Sequence, residues 1–106
     1  MKLSFTIALL LFANAALATD VEASIVIREH HFEPAELAVP AGKKIKLRIE
    51  NKDATPEEFE SHELNREKVI PGNSSTTIYV GPLEAGRYTF FGEFNAKTAQ
   101  GVLIAQ

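Results

Sequence analysis

The residues Pro56 to Glu63 read Pro-Glu-Glu-Phe-Glu-Ser-His-Glu, placing four carboxylates and one of the chain's three histidines in eight positions. Oxygen donors at that density, with an imidazole beside them, suit iron, manganese or oxidised copper better than copper(I), which prefers sulfur. The chain has no cysteine, so no thiolate is available as a ligand, a nucleophile or half of a disulfide. If this stretch is extended with Phe59 inward, alternation sends Glu57 and Ser61 to the core side. Glu58, Glu60 and His62 then line the opposite face, with alternate residues about 7 Å apart. A solvated surface is the competing reading, because charge runs mostly face water.

Two further segments carry donors. In Glu29-His30-His31-Phe32 the two histidines point to opposite faces of an extended chain. Parity with Ile25 and Ile27 sends His31 inward. Glu93 lies between Phe91 and Phe94 and faces outward if Phe90 and Gly92 face the core. The candidate metal ligands are therefore Glu57, Glu93, His31 and His62. For the histidines and for Glu93 the competing reading is again an ordinary surface or edge residue.

Other chemistries find no support. Ser61-His62 and Ser74-Ser75 form no glycine-flanked nucleophile elbow. The paired carboxylates Glu57 and Glu58 resemble a glycosidase pair only in type, since so short a chain leaves no groove for a polysaccharide. There is no glycine-rich phosphate loop. The formal charge of −3 becomes −4 if Lys2 is lost with a leader. That balance, with its basic residues scattered, argues against nucleic acid and against anionic membrane surfaces.

The elements that must position these donors can be read in order. Met1-Lys2, an apolar run over Leu3–Ala13 and the small-x-small Ala16-Leu17-Ala18 form the pattern of a cleaved secretory signal peptide, residues 1–18. The apolar run is shorter than the roughly 20 residues of a membrane-spanning helix, so no stable membrane insertion is expected. Residues 19–106 then form one small exported domain that must be stabilised by its core alone. Ser24–Arg28, Glu36–Val39, Lys44–Glu50, Thr76–Val80, Arg87–Phe94 and Gly101–Ala105 read as strands, separated by turns such as Ala41-Gly42 and Pro71-Gly72-Asn73. The clearest is Lys44–Glu50, where Ile45, Leu47 and Ile49 alternate with Lys46, Arg48 and Glu50. Phe59–Leu64 reads as a further strand or irregular segment. A short helical turn over Glu57–Arg66 competes, with Thr55 as cap and Pro56 at the first helical position. About seven short strands with regular turn signals give an all-β sandwich or barrel.

The mature segment resembles a cupredoxin, the Greek-key β-sandwich of the blue copper proteins. The resemblance rests on Phe32-x-Pro34-x-x-Leu37-x-Val39-x-Ala41-Gly42, on the alternating strand ending at Asn51 before Pro56, and on Gly86-Arg-Tyr-Thr-Phe-Phe-Gly followed by Gly101-Val-Leu-Ile. It covers nearly all of residues 24–106. A blue copper site uses two histidines, a cysteine and usually a methionine. The resemblance implies those positions here are Glu57, Gly92, Asn95 and a site near Ala99 or Gln100, so an electron-carrier role does not carry over. Phe-x-Pro, Pro-Glu-Glu-Phe-Glu-Ser and Phe-Gly-Glu-Phe are closer to the EfeO-type cupredoxin-like domains of bacterial iron uptake. That likeness implies a periplasmic protein binding a copper or iron ion through carboxylates and histidines, with an iron permease or another iron-uptake component as partner. The alternatives are a ferroxidase that oxidises Fe(II) before transport, and a metal-free interaction module whose acidic end docks a basic surface.

Overall fold

A computed structural model describes residues 20–106. The expected signal peptide lies outside the described residues. Among those described, no helix is long and apolar enough to cross a membrane.

Among the described residues, nine strands form two sheets. They are β1 (Val21–Arg28), β2 (His31–Glu33), β3 (Glu36–Val39), β4 (Ile45–Asn51), β5 (Glu57–Ser61), β6 (Arg66–Ile70), β7 (Ser74–Val80), β8 (Gly86–Gly92) and β9 (Gln100–Ala105). One sheet has the order β2-β1-β4-β7 and the other β3-β9-β8-β5-β6. The pairs β1–β4 and β3–β9 are parallel and the rest antiparallel. A single 3-10 turn, Glu93–Asn95, follows β8.

The period-2 pattern of β4 translates directly into packing. Ile45, Leu47 and Ile49 are buried and meet Ile25 and Ile27 of β1 in one core with Phe59, Phe90 and Leu103 of the facing sheet. Phe32, Phe59 and Phe90 form an aromatic trio at that centre, with ring centroids 5.0 to 6.2 Å apart. Offset and edge-on rings at such spacings stabilise beyond their buried area.

One expectation holds, with the strand starting at Glu57 and not at Phe59, and one is corrected. The segment Glu57–Ser61 is a strand, not a helical turn: with Phe59 wholly buried and Glu58 and Glu60 on the other face, the alternation outweighs the Thr-Pro start signal. His31 does not face inward; it is exposed. Parity fails because β1 does not run on into β2. Glu29 and His30 form a two-residue hairpin loop with φ of 51° and 61°, and the register pairs Arg28 with His31 and Ile27 with Phe32. Phe32 therefore takes the inward position.

Candidate functional site

The loop between β4 and β5 sets where Glu57 begins, and it is stapled on both sides. Asn51, buried at the end of β4, donates its Nδ2 to the carbonyls of Thr55 (2.9 Å) and Ile70 (3.1 Å). Its Oδ1 accepts the Asp53 N–H at 3.0 Å. Asp53 in turn accepts the N–H groups of Glu29 (2.7 Å) and His30 (2.9 Å), so it holds a left-handed hairpin loop that has neither the glycine nor the asparagine usual there. Burial alone would raise the Asp53 carboxyl. The two N–H bonds, with the charges of His30 and Arg28, outweigh it and hold the group below its ordinary value.

So placed, Glu57 points into the sandwich and is 1 % exposed. Its Oε1 accepts the N–H of Glu58 (3.0 Å) and of Phe94 (2.9 Å). Its Oε2 accepts Asn95 Nδ2 at 2.8 Å. Gly92, at the end of β8, presses on this carboxylate. A Cβ there would lie 2.6 Å from Glu57 Cδ and 2.7 Å from the methyl of Ala99. The Gly92 N–H also donates to the Ala99 carbonyl at 2.8 Å. Glu57, Gly92, Asn95 and Ala99 thus converge on one buried spot. Gln100 is exposed there and donates its Nε2 to Ala96.

The opposite face of β5 carries a second cluster. Glu58 and Glu60 stand half-buried on the outer face of the sheet, and the register places Glu67 of β6 opposite Glu60. One carboxylate oxygen from each of Glu58, Glu60 and Glu67 lies within 4.8 Å of the others. None of the three has an ion-pair partner among the described residues. The Glu58 carboxyl is raised above its ordinary value, by burial first, then by the charge of Glu67 and a hydrogen bond with it, then by the charges of Glu60 and Glu93. His62 is exposed beyond the end of β5, its ring tilted against Phe91 at 5.7 Å.

The four donors singled out from sequence are therefore not brought to one centre. Glu57 is inside. His31 sits on the other sheet, where its Nδ1 bonds the Glu29 carbonyl at 2.8 Å. Glu93 and His62 flank the outer carboxylate cluster. Among the described residues, the only group of three or more potential donors at ligand spacing is Glu58, Glu60 and Glu67. Sequence reasoning missed Glu67 because Arg66-Glu-Lys-Val-Ile shows no alternation. It is an edge strand, exposed at all but Ile70, and its mixed charges are typical of a protected edge. The signal that could have found it is the hairpin turn at His62–Asn65, which folds β6 back on β5.

The sequence model described as the cupredoxin-like domain matches residues 2–105. The chain belongs to that family. An uncharacterised protein of Rickettsia prowazekii (strain Madrid E) is 46% identical over 84 residues, covering 79% of this chain and 67% of that protein. Among solved structures, auracyanin A, a blue copper protein of Chloroflexus aurantiacus, matches with a TM-score of 0.72 at 18% identity, covering 83% of this chain and 100% of that one. A purple cupredoxin from Nitrosopumilus maritimus matches with a TM-score of 0.63 at 17% identity, over 79% and 99%. Amicyanin of Paracoccus versutus gives 0.61 at 16%, over 89% and 88%. At these identities the likeness establishes the cupredoxin fold.

The residues present do not fit the copper of this fold. The chain has no cysteine to supply the thiolate of a blue copper site, and the space beside Gly92, where the resemblance puts that side chain, holds the Glu57 carboxylate. All three hydrogen bonds to that carboxylate come from the chain itself. At Asn95, where the resemblance puts the second histidine, an amide nitrogen is turned toward Glu57 and has no lone pair to give a metal.

Proposed function

We propose that this cupredoxin-like protein is a periplasmic binder of a hard cation, an accessory to bacterial iron uptake. It takes iron, or oxidised copper, on the outer carboxylate face and not in the sandwich interior. The observation that carries the reading is the meeting of Glu58, Glu60 and Glu67 from two adjacent strands without a basic partner. Three carboxylates held that close repel one another, and burial together with the charges of Glu67, Glu60 and Glu93 raises the Glu58 carboxyl. A multivalent cation relieves it and supplies the oxygen coordination that iron and manganese prefer. Glu93 and His62 stand beside the cluster as supplementary donors. Glu57 and His31 take no part, being committed to internal bonds or to the other sheet.

Calorimetric titration of chelator-treated protein with Fe(III)-citrate, Mn(II) and Cu(II) tests this. A saturable site is expected, weakened at least tenfold by Glu60→Gln or Glu67→Gln. Affinity should fall on acidification, and should begin to fall at a higher pH than ordinary glutamates would give, because Glu58 protonates early. No saturable binding of any of the three metals would refute the reading. Oxygen consumption on adding Fe(II) separates a ferroxidase from a passive binder, which shows no turnover.

A second reading is favoured by the closed interior and by Phe94, which is 51% exposed while its N–H is fixed by Glu57. The same acidic end would then be a docking surface for a basic partner. Failure of every metal titration leaves this reading standing.

A further inference from the structure

The structure assigns Glu57 and Asn95 the role of a clasp that stands in for the fold's metal and closes the metal position. This goes beyond the outer-face reading and does not depend on it. Three lines of geometry meet. First, the chain positions to which the cupredoxin resemblance assigns ligands converge: Glu57 at the start of β5, Gly92 at the end of β8, and in the following loop Asn95 and Ala99, the latter one of the two candidates for the fourth position. They are joined by Asn95 Nδ2 to Glu57 Oε2 at 2.8 Å and by Gly92 N–H to the Ala99 carbonyl at 2.8 Å.

Second, the donors are spent. Glu57 Oε1 takes two N–H groups and Oε2 takes the Asn95 amide. No buried side-chain nitrogen or oxygen is left without a partner among the described residues. A metal could enter only by breaking bonds to a charged acceptor, the stronger kind of hydrogen bond. Third, there is no room. The carboxylate and the Ala99 methyl fill the space in front of Gly92 to within 2.7 Å of where a Cβ would stand. In a metal-binding cupredoxin the ion cross-links the β5 end of the sheet to the loop after β8. Here a carboxylate accepting the Phe94 N–H and the Asn95 amide makes the same cross-link from covalent parts of the chain. Those bonds tie the loop over Glu93–Ala99 to the start of β5.

Hydrogen exchange and copper titration together test this. In chelator-treated protein, exchange of the Phe94 amide should be slowest in the wild type, faster in Glu57→Gln and at least tenfold faster in Glu57→Ala. Equal rates in wild type and Glu57→Ala would overturn the clasp. Should Glu57→Ala fail to fold, the Phe94 amide proton carries the test: it should move upfield in Glu57→Gln as its acceptor loses charge, and an unmoved resonance would overturn the clasp. In the copper arm, Glu57→Gln and Asn95→Ala should leave Cu(II) affinity within twofold of wild type, or leave it absent if wild type binds none. A tenfold loss in either variant would place the metal inside and overturn the inference. Loss only in Glu67→Gln places it on the outer face, so the two proposals fail separately.

Discussion

Gly92→Ala reports most directly on the packing around Glu57. A methyl carbon normally stands about 3.5–4.0 Å from its neighbours. At Gly92 it would meet Glu57 Cδ at 2.6 Å and Ala99 Cβ at 2.7 Å, an overlap of about 1 Å on two sides. The backbone cannot retreat, because β8 is paired with β9 on one side and with β5 on the other, where Gly92 is opposite Phe59. Expelling the carboxylate forfeits three hydrogen bonds to a charged acceptor, each worth about 1.5–3 kcal/mol net. Phe94 is exposed and Asn95 only half-buried, so water recovers part of that. The cost comes to about 3–5 kcal/mol, against a total stability of about 4–13 kcal/mol for a domain of this size. In a Glu57→Ala background only the Ala99 contact remains, and Gly92→Ala should cost about 1–2 kcal/mol. The cycle should therefore show a coupling of about 2 kcal/mol. Urea unfolding followed by far-UV circular dichroism measures it, with sodium sulfate added to keep the weakest variants folded. A cost below about 1 kcal/mol, or an equal cost in both backgrounds, would refute the close contact between Gly92 and the carboxylate.

Three further outcomes are expected. Asp53→Asn should lower stability at neutral pH by about 1–2 kcal/mol, since the Glu29 and His30 N–H groups lose a charged acceptor. The Asp53 carboxyl is depressed in the folded state, so its contribution is present above the ordinary aspartate pKa and is lost as pH falls through the folded value. The acid limb of the stability profile should accordingly flatten in Asp53→Asn, and an unchanged limb counts against the assignment. Glu67→Gln should act in the opposite sense. Glu58 is raised in the folded state, so its repulsion is absent at low pH and appears as pH rises through the folded value; removing the Glu67 charge should raise the melting temperature at neutral pH and leave it unchanged when the cluster is protonated. Carboxyl NMR titration should show Glu58 returning toward the ordinary range, and no movement would refute the crowding. Arg66→Ala should cost about 1–2 kcal/mol by denaturation, because Arg66 Nε donates to the Tyr79 carbonyl across the seam between the sheets at 2.9 Å; an effect within error would show that solvent replaces that bond.

What was legible in the sequence follows from how each feature is encoded. The sandwich was legible because Ile45, Leu47 and Ile49 alternate over a full strand, and a period of two survives any tertiary context that buries one face. Glu57 inward with Glu58 and Glu60 outward was legible for the same reason, once Phe59 was taken as core. His31 was not, because parity holds only within a strand and a two-residue loop resets it. That loop carried no Asn-Gly signal; the left-handed conformation of Glu29 and His30 is imposed from 23 and 24 residues away by Asp53. β6 was not legible because an edge strand needs no apolar face. The clasp was only half legible: Glu57, Gly92 and Asn95 could be seen as replacements, but not that they touch.

That contact makes the replacements one unit rather than three. A carboxylate at position 57 occupies the space beside residue 92, so it requires glycine there. Once buried it needs donors, which the Phe94 N–H and the Asn95 amide provide. Restoring a thiolate alone must then fail. Gly92→Cys places its Cβ against the carboxylate, as alanine would, and its sulfur has no room to reach a metal. Copper added to wild type or to Gly92→Cys should give no intense blue colour. The colour is expected only when the set changes together, as Glu57→His, Gly92→Cys, Asn95→His and Ala99→Met, which removes the carboxylate and supplies two imidazoles, a thiolate and a thioether, with the backbone at residue 99 shifting to admit the new Cβ at residue 92. Visible absorption of the Cu(II)-loaded proteins decides it. An intense band in Gly92→Cys alone would mean that Glu57 yields its place readily, and the clasp would be no barrier to metal.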